Sequence, residues 1–344
     1  SRTMTVVAAV APHLPCMLLY CIALLLGLVF LVLSADRFVD SAAAIAHRYS
    51  IPPLLIGILI IGIGTSAPEM LVSAIAASNG TPGLALGNAY GSNIANIGLI
   101  LGLTALISPI PFESKILRKE LPILCGVTFI SMWLLFDGVL SRIDAVVLVG
   151  LLFTLMAWLI ASGRQSQVMA SVDGTDTFTE EAEKVAEAHR PNIRNTWVVL
   201  VLSLVAMMLS SQGLIWGAEH IARALGVSDL LIGLTILAFG TSVPELAASL
   251  AAARKGQHAL ALGNVLGSNL FNTLGVVGIA GLIAPGNVDP LLMQRDLPLV
   301  ALMSLSLFIW GVGFRGKPGR INRLEGGTLL VAYLSYITYL ATSL

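Results

Sequence analysis

The sequence predicts an all-α polytopic membrane protein, with ten transmembrane helices arranged as two inverted five-helix repeats. Of its 344 residues, 56% are apolar and 11% charged, with a mean hydropathy of +0.89, whereas soluble domains carry about 25% charge. Ten apolar runs follow one another, most of them long enough to cross roughly 30 Å of hydrocarbon as a helix. A pair of unusual motifs also occurs twice, at one fixed offset.

The runs lie at 16–34, 51–76, 82–107, 121–136, 143–161, 197–217, 228–252, 259–284, 297–314 and 326–344. Helices are the fitting class, because lipid permits no unpaired backbone and the runs exceed the length of a barrel strand. The first run reads as a span and not a cleaved leader: no basic region opens it, and Asp36 and Arg37 follow it where a cleavage site would stand. The run at 121–136 is short, and Lys119 and Glu120 are expected to snorkel from its end. Cys16, Cys21 and Cys125 are odd in number and sit in or beside apolar runs, so they read as small hydrophobes. Nineteen basic residues balance nineteen acidic ones, which leaves no basic footprint for nucleic acid.

Lys and Arg set the orientation, since cytoplasmic loops collect positive charge. With both termini outside, the inner loops hold Arg37 and Arg48; Lys115, Arg118 and Lys119; Arg164, Lys184, Arg190 and Arg194; Arg254 and Lys255; and Arg315, Lys317, Arg320 and Arg323. Only Arg2, Arg142, Arg223 and Arg295 stay outside. The chain thus divides into a first repeat over 1–162, a cytoplasmic connector over 163–195 and a second repeat over 196–344. The connector carries six acids and is expected to hold a short helix near 177–189, opened by the Thr177–Glu180 capping-box spacing and ended by Pro191.

Residues 64–69 read GTSAPE and residues 240–245 read GTSVPE; residues 87–96 read GNAYGSNIAN and residues 263–272 read GNVLGSNLFN. Both pairs are offset by 176 positions. Five spans, an odd number, separate the copies, so the second enters the membrane from the opposite side. Inverted repeats place a substrate site near the bilayer midplane, at the interface of interrupted helices. The motif regions at 62–102 and 238–278 supply such interruptions. Pro68 and Pro244 lack the N–H that would bond the carbonyls of Gly64 and Gly240. The carbonyls around 62–65 and 238–241 are therefore expected to face the interior as oxygen ligands.

Glu69 and Glu245 are the acidic residues near the middle of a span, where an ionisable side chain costs about 3 kcal/mol. Thr65, Ser66 and Glu69 share a helix face by spacing, and Thr241, Ser242 and Glu245 repeat the pattern. Ser92 with Asn96 and Ser268 with Asn272 are i, i+4 pairs on the following spans. All of these groups present oxygen. That set suits a hard cation such as calcium, and it contains no sulfur or imidazole to favour zinc or copper. The GxxxG spacings of Gly87 and Gly91, Gly98 and Gly102, and Gly263 and Gly267 read as close helix approach, with Asn88, Asn93, Asn264 and Asn269 as buried polar glue. The five histidines form no ligand constellation, and no catalytic aspartate pair or Ser/His set lies within the spans, which argues against an enzyme.

These segments resemble the paired alpha repeats of the cation/calcium exchanger superfamily, and the whole chain is similar in plan to its five-plus-five members, above all the compact bacterial calcium/sodium antiporters. The resemblance implies a central calcium site made by the carboxylates of Glu69 and Glu245 with the carbonyls of Thr65 and Thr241. It implies flanking sodium sites at Ser66, Ser92, Ser242 and Ser268, with carbonyls near Gly62 and Ala238, and Asn96 and Asn272 as accessory groups. Spans 1 and 6 would move against the core. One position departs from the pattern: many sodium/calcium exchangers carry Asp where this chain has Asn272, so the ionised site is −2 and a third sodium ion would leave net positive charge in low dielectric. The implied activity is export of calcium across the bacterial inner (cytoplasmic) membrane against sodium entry, with no cofactor and no obligatory protein partner. A proton/calcium exchanger using the same glutamates is the alternative, and a cation channel the more distant one.

Overall fold

A computed structural model describes residues 14–112, 117–173, 193–226, 238–312 and 319–342. Among these residues the protein is helical apart from four strands of two or three residues. In the first half, α1 (Leu14–Arg48) is followed by α2 (Pro53–Thr65) and α3 (Ala67–Ser78), a continuous stretch bent by 44°. Then come α4 (Pro82–Ile107), α5 (Leu117–Leu134) and α6 (Arg142–Asp173). The second half holds α7 (Ile193–Ala224), a single turn at Ala238–Gly240, α8 (Val243–Arg254), α9 (His258–Ile283), α10 (Leu292–Gly311) and α11 (Arg323–Thr342).

Among the described residues, α1, α4, α6, α7, α9 and α10 are long and apolar enough to cross a membrane, and the bent α2–α3 pair makes a seventh candidate. Of the remaining apolar runs, α5 covers 121–134 of 121–136 and α11 covers the run at 326–344 as far as Thr342, while α8 covers only the latter part of 228–252. Helix α6 continues past residue 162 to Asp173, and α7 already begins at Ile193. The short helix expected at 177–189 lies outside the described residues.

Glycines decide where backbones touch. A Cβ on Gly27 would stand 2.9 Å from Ser210 O, and one on Gly217 2.7 Å from Tyr20 O, so α1 and α7 lie against each other along their length. Leu18, Leu25, Leu202 and Leu209 on that pair point outward and are exposed, as lipid-facing side chains are. In the interior α2 crosses α9, where a Cβ on Gly57 would meet Gly263 Cα at 2.8 Å and one on Gly62 would meet Gly267 Cα at 3.0 Å. Gly98 and Gly102 do the same against α11, reaching Tyr333 Cβ at 2.8 Å and Gly326 O at 2.9 Å. These four GxxxG glycines, 98, 102, 263 and 267, thus permit the close approach that small residues allow. Gly87 and Gly91 have no such neighbour within 4 Å among the described residues.

Two short antiparallel ribbons tie the halves together. Strand β1 (Ile110–Phe112) pairs with Gly319–Ile321, and β2 (Val139–Leu140) pairs with Gly286–Asn287. The start of α5 differs from the sequence expectation. Lys119 is exposed, but Glu120 does not snorkel: it is 3% exposed, beside the buried Leu121 and Leu124, because that end of α5 is covered by protein and not by lipid or water. Cys21 is exposed and Cys125 buried, and both are free thiols.

Candidate functional site

Two helix breaks build the site. Ser66 (φ −83°, ψ 4°) separates α2 from α3, and Ser242 (φ −88°, ψ 4°) precedes α8. Pro68 and Pro244 fall in the first turn of the restarted helices, where a missing N–H leaves no bond unmade. Glu69 and Glu245 also fall in those first turns. Each carboxylate therefore sits at the positive end of a half-helix. The freed carbonyls behave unequally. Gly240 O accepts the hydroxyl of Ser211 from α7 at 3.2 Å, which leaves its second lone pair free. Gly62 O accepts Ser66 N–H at 3.1 Å and the Ser268 hydroxyl at 3.5 Å.

Facing these breaks, α4 and α9 each widen into a π-helical turn, Ala95–Leu101 and Phe271–Val276. Such turns recur at functional positions because they redirect side chains. Here they carry Asn96 and Asn272. Glu69, Glu245, Thr65, Ser66, Ser92, Ser242, Ser268, Asn96 and Asn272 are all buried, with at most 4% exposure. Thr241 is half-buried, Gly62 is buried, and Ala238 contributes backbone at the start of the turn Ala238–Gly240.

Hydrogen bonds join the two halves across this space. Ser66 donates to Glu245 Oε1 at 3.2 Å. The Thr65 hydroxyl reaches Asn264 Oδ1 and Ile61 O, each at 3.1 Å. Asn88 and Asn264 act as the polar glue read from sequence, and in matching fashion. Asn88 Nδ2 donates to Glu69 O (3.4 Å) and Ser73 Oγ (3.1 Å), and Asn264 Nδ2 to Glu245 O (3.0 Å) and Ser249 Oγ (2.8 Å). Each amide fixes the backbone of one glutamate. Asn93 and Asn269 do more than pack. Asn96 Nδ2 donates to Asn269 Oδ1 at 3.1 Å, and Asn93 Nδ2 to Thr273 Oγ1 at 2.8 Å. Thr273 escaped the sequence reading because its counterpart in the first repeat is the apolar Ile97.

What remains unbonded carries the chemistry. Buried and without a hydrogen-bond partner are both carboxylate oxygens of Glu69, Oε2 of Glu245, Oγ1 of Thr241, Oγ of Ser242 and Oδ1 of Asn96 and Asn272. Ser66, three residues before Glu69, donates to Glu245, so the two glutamates face one space. Buried polar groups are ordinarily paired, and a buried charge needs a partner of opposite sign. Among the described residues no three His, Cys, Asp or Glu side chains cluster in a way that would hold a metal. The set is thus two carboxylates among neutral oxygens, the chemistry of a hard, exchangeable cation.

The sodium/calcium exchanger protein family model matches this chain over residues 19–161 and again over 195–342. A protein of Alkalimonas amylolytica bearing the antiporter name CaxA is 43% identical over 323 residues, 93% of this chain and 98% of its own. The sodium/calcium exchanger MaX1 of Methanosarcina acetivorans is 31% identical, over 92% of this chain and 97% of its own. The inner membrane protein YrbG of Escherichia coli is 39% identical, over 86% of this chain and 90% of its own. Among solved structures, the sodium-calcium exchanger NCX_Mj superposes with a TM-score of 0.80 at 33% identity, covering 94% of this chain and 99% of that one. With one family model accounting for both halves and relatives matched almost end to end, the chain belongs to the sodium/calcium exchanger family, and is a membrane antiporter rather than an enzyme.

Proposed function

We propose that this protein exports calcium against inward sodium by alternating access, through one midplane site shared by Glu69 and Glu245. The observation that carries the reading is the set of buried, unpartnered oxygens from both halves around two carboxylates. A divalent ion neutralises both charges at once, and sodium ions compete for the same oxygens. Thr65 and Thr241 supply carbonyls to calcium, while Ser66, Ser92, Ser242, Ser268, Asn96, Asn272 and the backbone at Gly62 and Ala238 serve sodium. The chain forms ten spans in two inverted repeats over 1–162 and 196–344, with both termini outside and the 163–195 connector in the cytoplasm.

Alternating access is supported by an asymmetry between equivalent surfaces. On α8, Ala248 and Ala251 are 1% and 5% exposed, packed with Phe38, Val39, Ala42 and Ala46 of α1. The equivalent residues on α3, 176 positions earlier, are Val72 and Ile75, at 40% and 52%. α1 covers one of two equivalent helix faces and leaves the other uncovered, and exchanging the two arrangements would present the site to the other side.

Calcium uptake into proteoliposomes under a clamped potential tests the reading, with sodium and proton gradients applied separately. Sodium-driven uptake that is lost in both Glu69→Gln and Glu245→Gln supports it. Uptake driven by protons alone would keep the glutamates and replace the counter-ion, and gradient-independent flux would indicate a channel.

A further inference from the structure

Where α4 crosses α9, a pseudo-two-fold axis should relate the two repeats, yet their amides do not obey it. Asn93 and Asn269 are equivalent by the 176-residue offset, as are Asn96 and Asn272. Asn269 spends its Oδ1 on accepting from Asn96, and its Nδ2 is left without a partner. Asn93 is the reverse: its Nδ2 is spent on Thr273 Oγ1 at 2.8 Å and its Oδ1 is left without a partner. All these side chains are about 1% exposed, so bulk water does not satisfy them. The cause lies in one position. Thr273 offers Asn93 a hydroxyl acceptor, whereas its counterpart Ile97 offers Asn269 none.

We infer that Thr273 is a positioning residue, which turns the Asn93 amide so that Oδ1 becomes a further oxygen ligand for the monovalent counter-ion. The inference rests on the reading of the midplane cluster as a cation site. One divalent ion sits between the two carboxylates and neutralises both. Several monovalent ions repel one another and must spread away from the carboxylates, toward the α4–α9 crossing. Neutral amide oxygens are the groups present there, and position 272 supplies an amide, not a third carboxylate. Asn93 Oδ1 joins Asn96 Oδ1 and Asn272 Oδ1, while the Asn269 amide shows its N–H side and repels a cation.

Purified Thr273→Val, Thr273→Ser and wild-type protein in proteoliposomes test this, read as half-saturating sodium and half-saturating calcium separately. Thr273→Val is expected to raise half-saturating sodium about tenfold, the size of one lost contact to a charged group, with half-saturating calcium within about twofold. Thr273→Ser, which keeps the hydroxyl, restores the wild-type sodium curve. If the valine variant fails to fold, Thr273→Ala carries the same expectation. An unchanged sodium curve, equal shifts for both ions, or no rescue by serine overturns the assignment and makes Thr273 a packing residue. Failure of the underlying site reading is seen separately, as calcium exchange retained in Glu69→Gln and Glu245→Gln.

Discussion

Ser66 donates to Glu245 Oε1 at 3.2 Å, but the equivalent hydroxyl of Ser242 makes no hydrogen bond, and neither does the Glu69 carboxylate. Equivalent residues of the two repeats thus stand in different states. Ser66→Ala removes a bond to a buried carboxylate, so it should lower the stability of the ion-free protein by about 1.5–3 kcal/mol. Ser242→Ala removes no existing bond, so its melting in chelator should match wild type while its ion affinity falls. Thermal melts with and without calcium separate the two effects. Equal melting of both variants in chelator would mean that Ser66 does not hold Glu245.

Filling the site should stabilise the fold by mass action. At calcium a hundredfold above its dissociation constant, the gain is about 2.7 kcal/mol. Glu69→Gln and Glu245→Gln should each remain folded and lose this gain, because the one carboxylate left cannot neutralise a divalent ion. A calcium-induced melting shift that persists in either variant would place the ion elsewhere.

The α2–α9 crossing has no room for added atoms. A methyl on Gly267 would stand 2.6 Å from Ile58 O, and one on Gly57 2.8 Å from Leu260 O, in both cases against backbone. Gly267→Ala and Gly57→Ala should each destabilise by about 1–3 kcal/mol, the usual cost of overpacking. Gly150 in α6 meets nothing within 4 Å among the described residues, so Gly150→Ala should be neutral to slightly stabilising through helix propensity. Folded yield on size exclusion and melting temperature check the contrast.

Two equivalent acidic residues at helix starts are held differently, although both are followed by Leu-Pro. Asp296 is gripped by Arg295 (2.6 and 3.0 Å) and by the Tyr336 hydroxyl (2.9 Å). Glu120 is as deeply buried, but its Oε2 has no partner. Asp296→Asn should therefore destabilise by about 1–3 kcal/mol, while Glu120→Gln should be neutral, because Oε2 has no hydrogen bond to lose. Thermal melts at neutral pH measure both. A loss of similar size in the two variants would reveal a partner for Glu120.

Much of this was legible in residue order. The apolar runs, the fixed offset of the GTSxPE and GNxxGSNxxN segments and the prolines beside Glu69 and Glu245 fix helices, repeats and breaks, because hydropathy and backbone chemistry are local properties. What stayed hidden depends on which state the molecule adopts and on contacts across the repeats. The capture of Gly240 O by Ser211, the burial of Glu120 and the Thr273–Asn93 pairing involve residues far apart in the chain, and a single sequence carries no record of such partners. A symmetric pair of motifs also predicts symmetric occupancy. The contrast between Ala251 and Ile75 arises because α1 leans on only one of two equivalent surfaces.

That lean is fastened by charge. Lys255, in the turn after α8, donates to Asp40 Oδ1 at 2.7 Å and to Asp36 O at 3.0 Å, tying the end of α1 to the helix that bears Glu245. The equivalents of Lys255, Asp36 and Asp40 are Asn79, Gln212 and Trp216, so the opposite entrance has no matching ion pair. The groups are partly exposed, and such a pair contributes about 0.2–1 kcal/mol. Lys255→Met should therefore shift the balance between facing states by about 1.4- to fivefold, with a smaller effect at high salt. In a background without native cysteines, thiol labelling of Ala248→Cys should rise and that of Val72→Cys should fall when Lys255 is replaced. The opposed direction of the two changes is the signature of a shifted equilibrium, whereas simple loosening of α1 would raise labelling at position 248 and leave position 72 as it was. Labelling unchanged at both positions would show that the apolar contact of α1 with Ala248 and Ala251 closes this entrance without help from the ion pair.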